Sequence, residues 1–123
     1  MMRGKQDRND EAKDLYLQAA NCYKLSGAFD KAIHCYEECI KCEESDVDAA
    51  PHYREAAICI KENDQDKYVE LTRKAIDLYS LSGRASTGAG MAKECAQFLE
   101  EGYDYETAIE FFAKACQLYE MDN

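Results

Sequence analysis

Three times in 123 residues this chain sets down the same spaced row of small and bulky residues. Ala20 and Tyr23 are followed by Ala32, Tyr36 and Cys39. Ala56 and Cys59 are followed by Tyr68, Thr72 and Ala75, and Ala96 and Leu99 by Ala108, Phe112 and Ala115. The leading small residues are separated by 36 positions (20 to 56) and then by 40 (56 to 96), the length of two helices joined by short turns. Small residues let neighbouring helices approach closely, and the large ones fill the grooves between them. One such pair cannot bury its own apolar face, so successive pairs must stack.

This spacing is the tetratricopeptide-like pattern. It predicts an all-α fold, a right-handed superhelical stack of antiparallel helix pairs with about six helices. Residues 1–9 read as a polar N-terminal tail and residues 10–123 as a single helical-repeat domain. Asn9 or Asp10 is expected to cap a first helix that carries Leu15, Tyr16, Ala19, Ala20 and Tyr23 and stops at Gly27. A second follows Phe29 and Asp30. Asp46 or Asp48 is expected to cap a third, with Pro51 in its first turn, where a missing N–H costs little. Asp64 or Asp66 opens the fourth and Gly83 ends it. The fifth begins around Ser86 and Thr87, and Tyr103 and Asp104 lead into the sixth. Turns of two to five residues make neighbouring helices antiparallel. The pattern usually places a proline after the second helix of each pair. Here those positions are Glu44, Ser80 and Glu120, so the helices can run longer. The last helix carries Leu118, Tyr119 and Met121 with no polar helix after it, so a further element or a second copy is expected to pack there.

With 46% hydrophobic residues there is enough apolar chain for one domain, while one proline and six glycines leave few helix breaks. No run of about 18 apolar residues is present. The first nine residues lack the apolar core of a secretory signal, so a cytoplasmic protein is expected. Seven cysteines in that setting read as free thiols acting as small hydrophobes. Cys35, Cys39 and Cys42 fall at i, i+4 and i+7, one stripe of one helix. A zinc site there needs a fourth ligand, with His34, His52 or Cys22 nearby in sequence, and no second C-x-x-C supplies it. Core packing is the reading adopted, with no metal and no cofactor.

Nothing in the chain assembles a reaction centre. His34 and His52 are the two histidines, and neither stands in a nucleophile or metal motif. Ser86-Thr87-Gly88-Ala89-Gly90 faintly suggests a phosphate loop, but it lacks the G-K-[ST] ending and follows a helix instead of a strand. It reads as a helix start with small residues for close packing. The chain is therefore expected not to be an enzyme.

From Glu11 to Asn123 the sequence resembles the soluble attachment proteins for N-ethylmaleimide-sensitive factor (NSF), the SNAP family of vesicle-fusion adaptors. Three segments carry the resemblance: Glu11–Asn21 (EAKDLYLQAAN) with Lys24 soon after, Lys74–Tyr79 (KAIDLY) followed by Gly83-Arg84, and Tyr105–Phe112 (YETAIEFF). The resemblance implies an adaptor that lies along an assembled SNARE four-helix bundle and links it to the hexameric NSF-type ATPase. Basic residues on one face would meet acidic stretches of the bundle. Arg84 matches a basic position of that face; the next falls at Gly90, for which Lys93 is a substitute one turn later. Family members also carry exposed phenylalanines in an N-terminal loop that dips into the membrane. Here only Met1-Met2 precedes a polar tail, so membrane association is expected to be peripheral at most.

Fifteen Lys and Arg stand against twenty-five Asp and Glu, a formal net charge of −10. That balance argues against nucleic acid and anionic lipid as general partners. An acidic bundle requires the positives to be gathered on one face, for which Arg54, Lys61, Arg73, Lys74, Arg84 and Lys93 are candidates. Of these Arg84, Lys93, Arg54 and Lys61 are taken as partner-binding residues. Glu37-Glu38, Glu43-Glu44 and Glu100-Glu101 read as runs that coat outer helix faces, with contact to a basic partner as the alternative. The alternative function is a generic tetratricopeptide scaffold or co-chaperone gripping a peptide tail. The carboxylate clamp of such proteins is incomplete here: Asn21 fits one position, and the others hold Leu17, Arg54, Met91 and Cys95.

Overall fold

The computed structural model describes residues 4–121 as six helices: α1 (Lys5–Ser26), α2 (Phe29–Cys42), α3 (Asp46–Ile60), α4 (Gln65–Leu81), α5 (Ala85–Glu101) and α6 (Tyr105–Met121). No strand occurs among the described residues. The principal packing contacts run between consecutive helices, from α1 on α2 to α5 on α6. The chain is thus an all-α stack of antiparallel helix pairs, consistent with a tetratricopeptide-like fold.

The small positions of the repeat are where the helices close on one another. Ala20, Ala32, Ala56, Ala75 and Ala96 are fully buried, and Ala108 and Ala115 nearly so. Ile76, Leu99 and Leu118 are the largest fully buried apolar side chains, so Leu118 belongs to the core. Tyr119 and Met121, beside it in sequence, are exposed. Gly88 and Ala89 are buried in the first turns of α5. A Cβ on Gly88 would stand 3.5 Å from Leu118 Cδ1, the close approach expected for Ser86–Gly90.

Helix ends follow side-chain chemistry, with some shifts from expectation. α1 starts at Lys5, a turn ahead of Asn9 and Asp10, because Lys5–Asp10 contains no helix breaker and Gln6 Nε2 donates to Asp10 Oδ1 across one turn at 3.0 Å. Its cap is Gly4; Met1, Met2 and Arg3 lie outside the described residues, as do Asp122 and Asn123. Ser45, not Asp46 or Asp48, caps α3, its hydroxyl accepting the Asp48 N–H at 3.3 Å. Pro51 consequently falls at the sixth residue of α3 and withholds a hydrogen bond from the Val47 carbonyl. Asp64 caps α4 and Asp104 α6, through the amides of Lys67 and Thr107.

Three helices end alike, with a left-handed residue that turns the chain back. After α1 this is Gly27 (φ 83°) and after α4 Gly83 (φ 78°), and the next amide bonds back to Tyr23 O or Tyr79 O at 2.8 Å. After α5 the left-handed residue is Tyr103 (φ 66°), with Asp104 N–H on Leu99 O at 2.9 Å. Gly102 stands one position too early to serve.

Candidate protein-binding surface

Side chains of α3 and α5 line a common cavity, and those of α4 share one groove with α2 and another with α6, so the first and second helices of the repeats present separate layers of surface. Arg54 and Lys61 stand seven residues apart, two helical turns, and so share one side of α3 and its C-terminal cap. Both are half-buried. Arg54 lines a small cavity with Ile58, Thr72, Met91 and Glu94, where α3 and α5 meet above α4. Lys61 places its ammonium 4.8 Å from the Phe98 ring centroid and 5.7 Å from that of Tyr68, a cation–π seat. It shares a shallow cavity of about 200 Å³ with Glu94, Gln97 and Glu101.

Lys93 is exposed on α5. Arg84, also exposed, is the residue before α5 and holds its guanidinium 5.8 Å over the Tyr79 ring. Fourteen residues separate position 84 from Phe98, which holds Lys61. At a rise of about 1.5 Å each that is ~21 Å along the helix. The four candidates are thus not one cluster: Arg54 and Lys61 line cavities shared by α3 and α5, whereas Arg84 rests on Tyr79 of α4. Arg54 and Lys61 converge around Glu94, Lys93 follows on the next helix, and Arg84 lies at the far end.

Arg73 and Lys74 fall in the other layer. Arg73 spans from α4 to α6, with Nη2 at 2.9 Å from Glu110 Oε2 and its guanidinium 4.8 Å over Phe111. Asp77 and Lys114 complete a groove there of about 300 Å³. Lys74 joins Lys41 and Lys67 in a neighbouring groove of about 290 Å³ between α2 and α4, alongside Glu37 and Glu70. The positives are thus divided between two layers and interleaved with carboxylates, instead of being gathered on one face. Sequence spacing could have signalled this, because Arg73 and Lys74 belong to the second helix of their repeat and Arg54 and Lys61 to the first.

One charged cluster escaped the sequence reading. Glu43, expected on an outer face, is nearly buried where α2 ends. It accepts from Lys13 Nζ at 3.3 Å and lies 2.5 Å from His52 Nε2. Lys13, Glu43 and His52 tie together α1, the end of α2 and α3. Burial lowers the Lys13 pKa, but the hydrogen bond and charge of Glu43, with Asp10 and Asp14 nearby, outweigh it and raise the ammonium pKa above its ordinary value. The tie is structural: one buried carboxylate satisfied by two donors on separate helices.

All seven cysteines are free thiols. Cys35, Cys39, Cys59 and Cys95 are buried, Cys42 is half-buried, and Cys22 and Cys116 are exposed. Burial pushes the thiols of Cys39 and Cys95 up to about 11. Among the described residues no three His, Cys, Asp or Glu side chains are arranged to hold a metal ion, and no helix is long and apolar enough to cross a membrane.

The sequence profile described as "Soluble NSF attachment protein, SNAP" matches residues 1–123. The chain belongs to the SNAP family. SNAP relatives include an alpha-soluble NSF attachment protein of Vitis vinifera, 30% identical over 92% of this chain and 40% of the relative. The vesicular-fusion protein SEC17 of Komagataella phaffii is 32% identical over 94% of the chain and 40% of the relative. A gamma-soluble NSF attachment protein of Arabidopsis thaliana is 33% identical over 90% and 39%. The chain spans about two fifths of the length of the curated SNAP proteins it matches.

Proposed function

We propose that this chain acts as a SNAP-type adaptor in vesicle-mediated transport, binding assembled SNARE helical bundles and linking them to an NSF-type ATPase. The reading places it in the cytoplasm, associated with intracellular membranes at their periphery. The family match across residues 1–123 carries this reading. The relatives' names, which speak of attachment to NSF and of vesicular fusion, support it.

In this reading the bundle lies across the α3–α5 side, where Arg54, Lys61, Lys93 and Arg84 present cations along about 21 Å of helix. A row of this length suits a rod-shaped ligand better than a compact one. The net charge of −10 makes the contact local and salt-dependent.

The test is binding of the purified chain to an assembled SNARE four-helix bundle at low and at physiological salt, wild type beside an Arg84→Glu, Lys93→Glu double variant. Salt-sensitive binding that the charge reversal weakens by tenfold or more supports the adaptor reading. No binding by the wild type at low salt overturns it for this chain and leaves the generic tetratricopeptide scaffold.

A further inference from the structure

Carboxylates outnumber cations by ten across this chain, yet the groove between α2 and α4 holds three lysines to two glutamates. Lys67, Glu70 and Lys74 fall at i, i+3 and i+7 and so share one ridge of α4, with the two lysines two turns, about 10 Å, apart. Glu37 and Lys41, one turn apart, face them from α2. The floor is apolar and takes one residue from each of three helices: Ile40 of α2, Tyr53 of α3 and Leu71 of α4. Leu71 is buried, while Ile40 and Tyr53 are half-buried and present part of their surface to the groove. At about 290 Å³ the groove takes a side chain or two and not a whole drug-sized ligand. Its rim stands in water, with Lys41 71% exposed and Lys74 and Glu70 exposed as well.

The cations of this rim are available to a guest. Lys41 pairs with Glu38 at 3.0 Å and Lys67 with Glu70 at 3.6 Å, each within one turn of its own helix. Solvated pairs of this kind contribute little, so a better-placed anion displaces them at small cost. Lys74 has no carboxylate partner among the described residues; its ammonium stands 6.0 Å from the Tyr53 ring centroid. Glu37 and Glu70 restrict what can bind. A continuous run of negative charge meets them as well as the lysines, whereas carboxylates set two turns apart meet the lysines of α4 and pass over Glu70 between them. A helix laid along α4 repeats that spacing, and a residue midway between its carboxylates points at the apolar floor.

We propose that this groove docks a helix of a second protein partner that carries carboxylates at i and i+7 and a large apolar side chain between them. The carboxylates meet Lys67 and Lys74, Lys41 approaches from the opposite rim, and the apolar side chain lies on Ile40, Tyr53 and Leu71. The groove belongs to the second helices of the repeats and the contact proposed above to the first, so the two can be occupied together. Charge sets the register of this docking, and the apolar floor holds it against salt.

The experiment uses a fluorescein-labelled alanine-based helical peptide with Glu at i and i+7 and Leu at i+4, and follows its anisotropy as the full chain is added. Saturable binding is expected. Lys67→Glu and Lys74→Glu are each expected to weaken it by about 3- to 10-fold, as is replacement of the peptide leucine by alanine. A peptide with Lys in place of one Glu is expected to bind Lys74→Glu better than wild type. Lys93→Glu, on α5, is expected to change nothing. The three substituted lysines are exposed or half-buried at the surface, and thermal unfolding of the variants checks that each is folded. Absence of binding by the wild type at low salt overturns the proposal, as does binding that Lys67→Glu and Lys74→Glu leave unchanged. Weakening by Lys93→Glu as large as that by Lys74→Glu places the peptide on α5 and also overturns it. SNARE-bundle affinity is measured on the same variants: a loss there of about tenfold assigns the groove to the first contact and overturns a separate partner, while unchanged affinity supports one.

Discussion

His52 Nε2 sits 2.5 Å from Glu43 Oε2, fastening the start of α3 to the residue that closes α2. Both side chains are about nine-tenths shielded, and the other Glu43 oxygen is taken by Lys13 of α1. Replacing the carboxylate with an amide leaves one acceptor oxygen for two donors and sets an NH2 against the other in a low-dielectric seam. Glu43→Gln is therefore expected to destabilise the chain by about 1–3 kcal/mol. Glu44→Gln, one residue on and exposed, is expected to stay within about 0.5 kcal/mol of wild type. Urea unfolding followed by circular dichroism measures both, and equal effects would assign Glu43 to the solvated surface.

Tyr103 carries the left-handed backbone that Gly27 and Gly83 adopt without a Cβ. A non-glycine residue there costs about 1–2 kcal/mol in the folded state, partly offset by the smaller entropy of the unfolded chain. Tyr103→Gly is expected to stabilise by about 0.5–1 kcal/mol and Gly83→Ala to destabilise by a similar amount. Opposite shifts in melting temperature on the two substitutions are the sign to look for.

Pro51 interrupts the hydrogen-bond ladder of α3 in its second turn. Pro51→Ala restores the amide that the Val47 carbonyl lacks and is expected to add about 1–3 kcal/mol of stability. A lower melting temperature in the variant would mean that the proline ring contributes more by packing than its missing N–H removes.

The buried thiols set the behaviour in alkali. Cys39 and Cys95 keep their protons to about pH 11 when folded, whereas an unfolded cysteine releases its proton near 8.5. The native state then binds more protons than the unfolded one, so stability falls as pH rises from about 8.5 to 11. Lys13 and Lys24 act in the same direction. Their raised values give stability that is present below the unfolded lysine pKa and is lost as pH climbs through the folded one. Unfolding free energies at pH 8 and pH 10.5 are expected to differ by a few kcal/mol. At neutral pH, a thiol reagent should label Cys22 and Cys116 quickly and Cys39 and Cys95 only on unfolding.

The sequence showed most of the fold because its strongest signal was steric. Ala20, Ala56 and Ala96 could be small only where helices touch, and each is fully buried. Helix starts were less legible. Lys5–Asp10 and Asp46–Asp48 are both helix-compatible and capping-prone, so local chemistry did not single out Gly4 and Ser45. The role of Glu43 was hidden because an acidic pair between helices looks solvated until a lysine 30 residues earlier and a histidine nine later fold onto it.

Because the main contacts of each helix are with its sequence neighbours, the stack has a low contact order and should fold on the fast timescale of helical bundles. Its strength is also distributed in series. Tension between the two ends passes through every turn in succession, so the molecule answers a pull as a run of links that open one at a time.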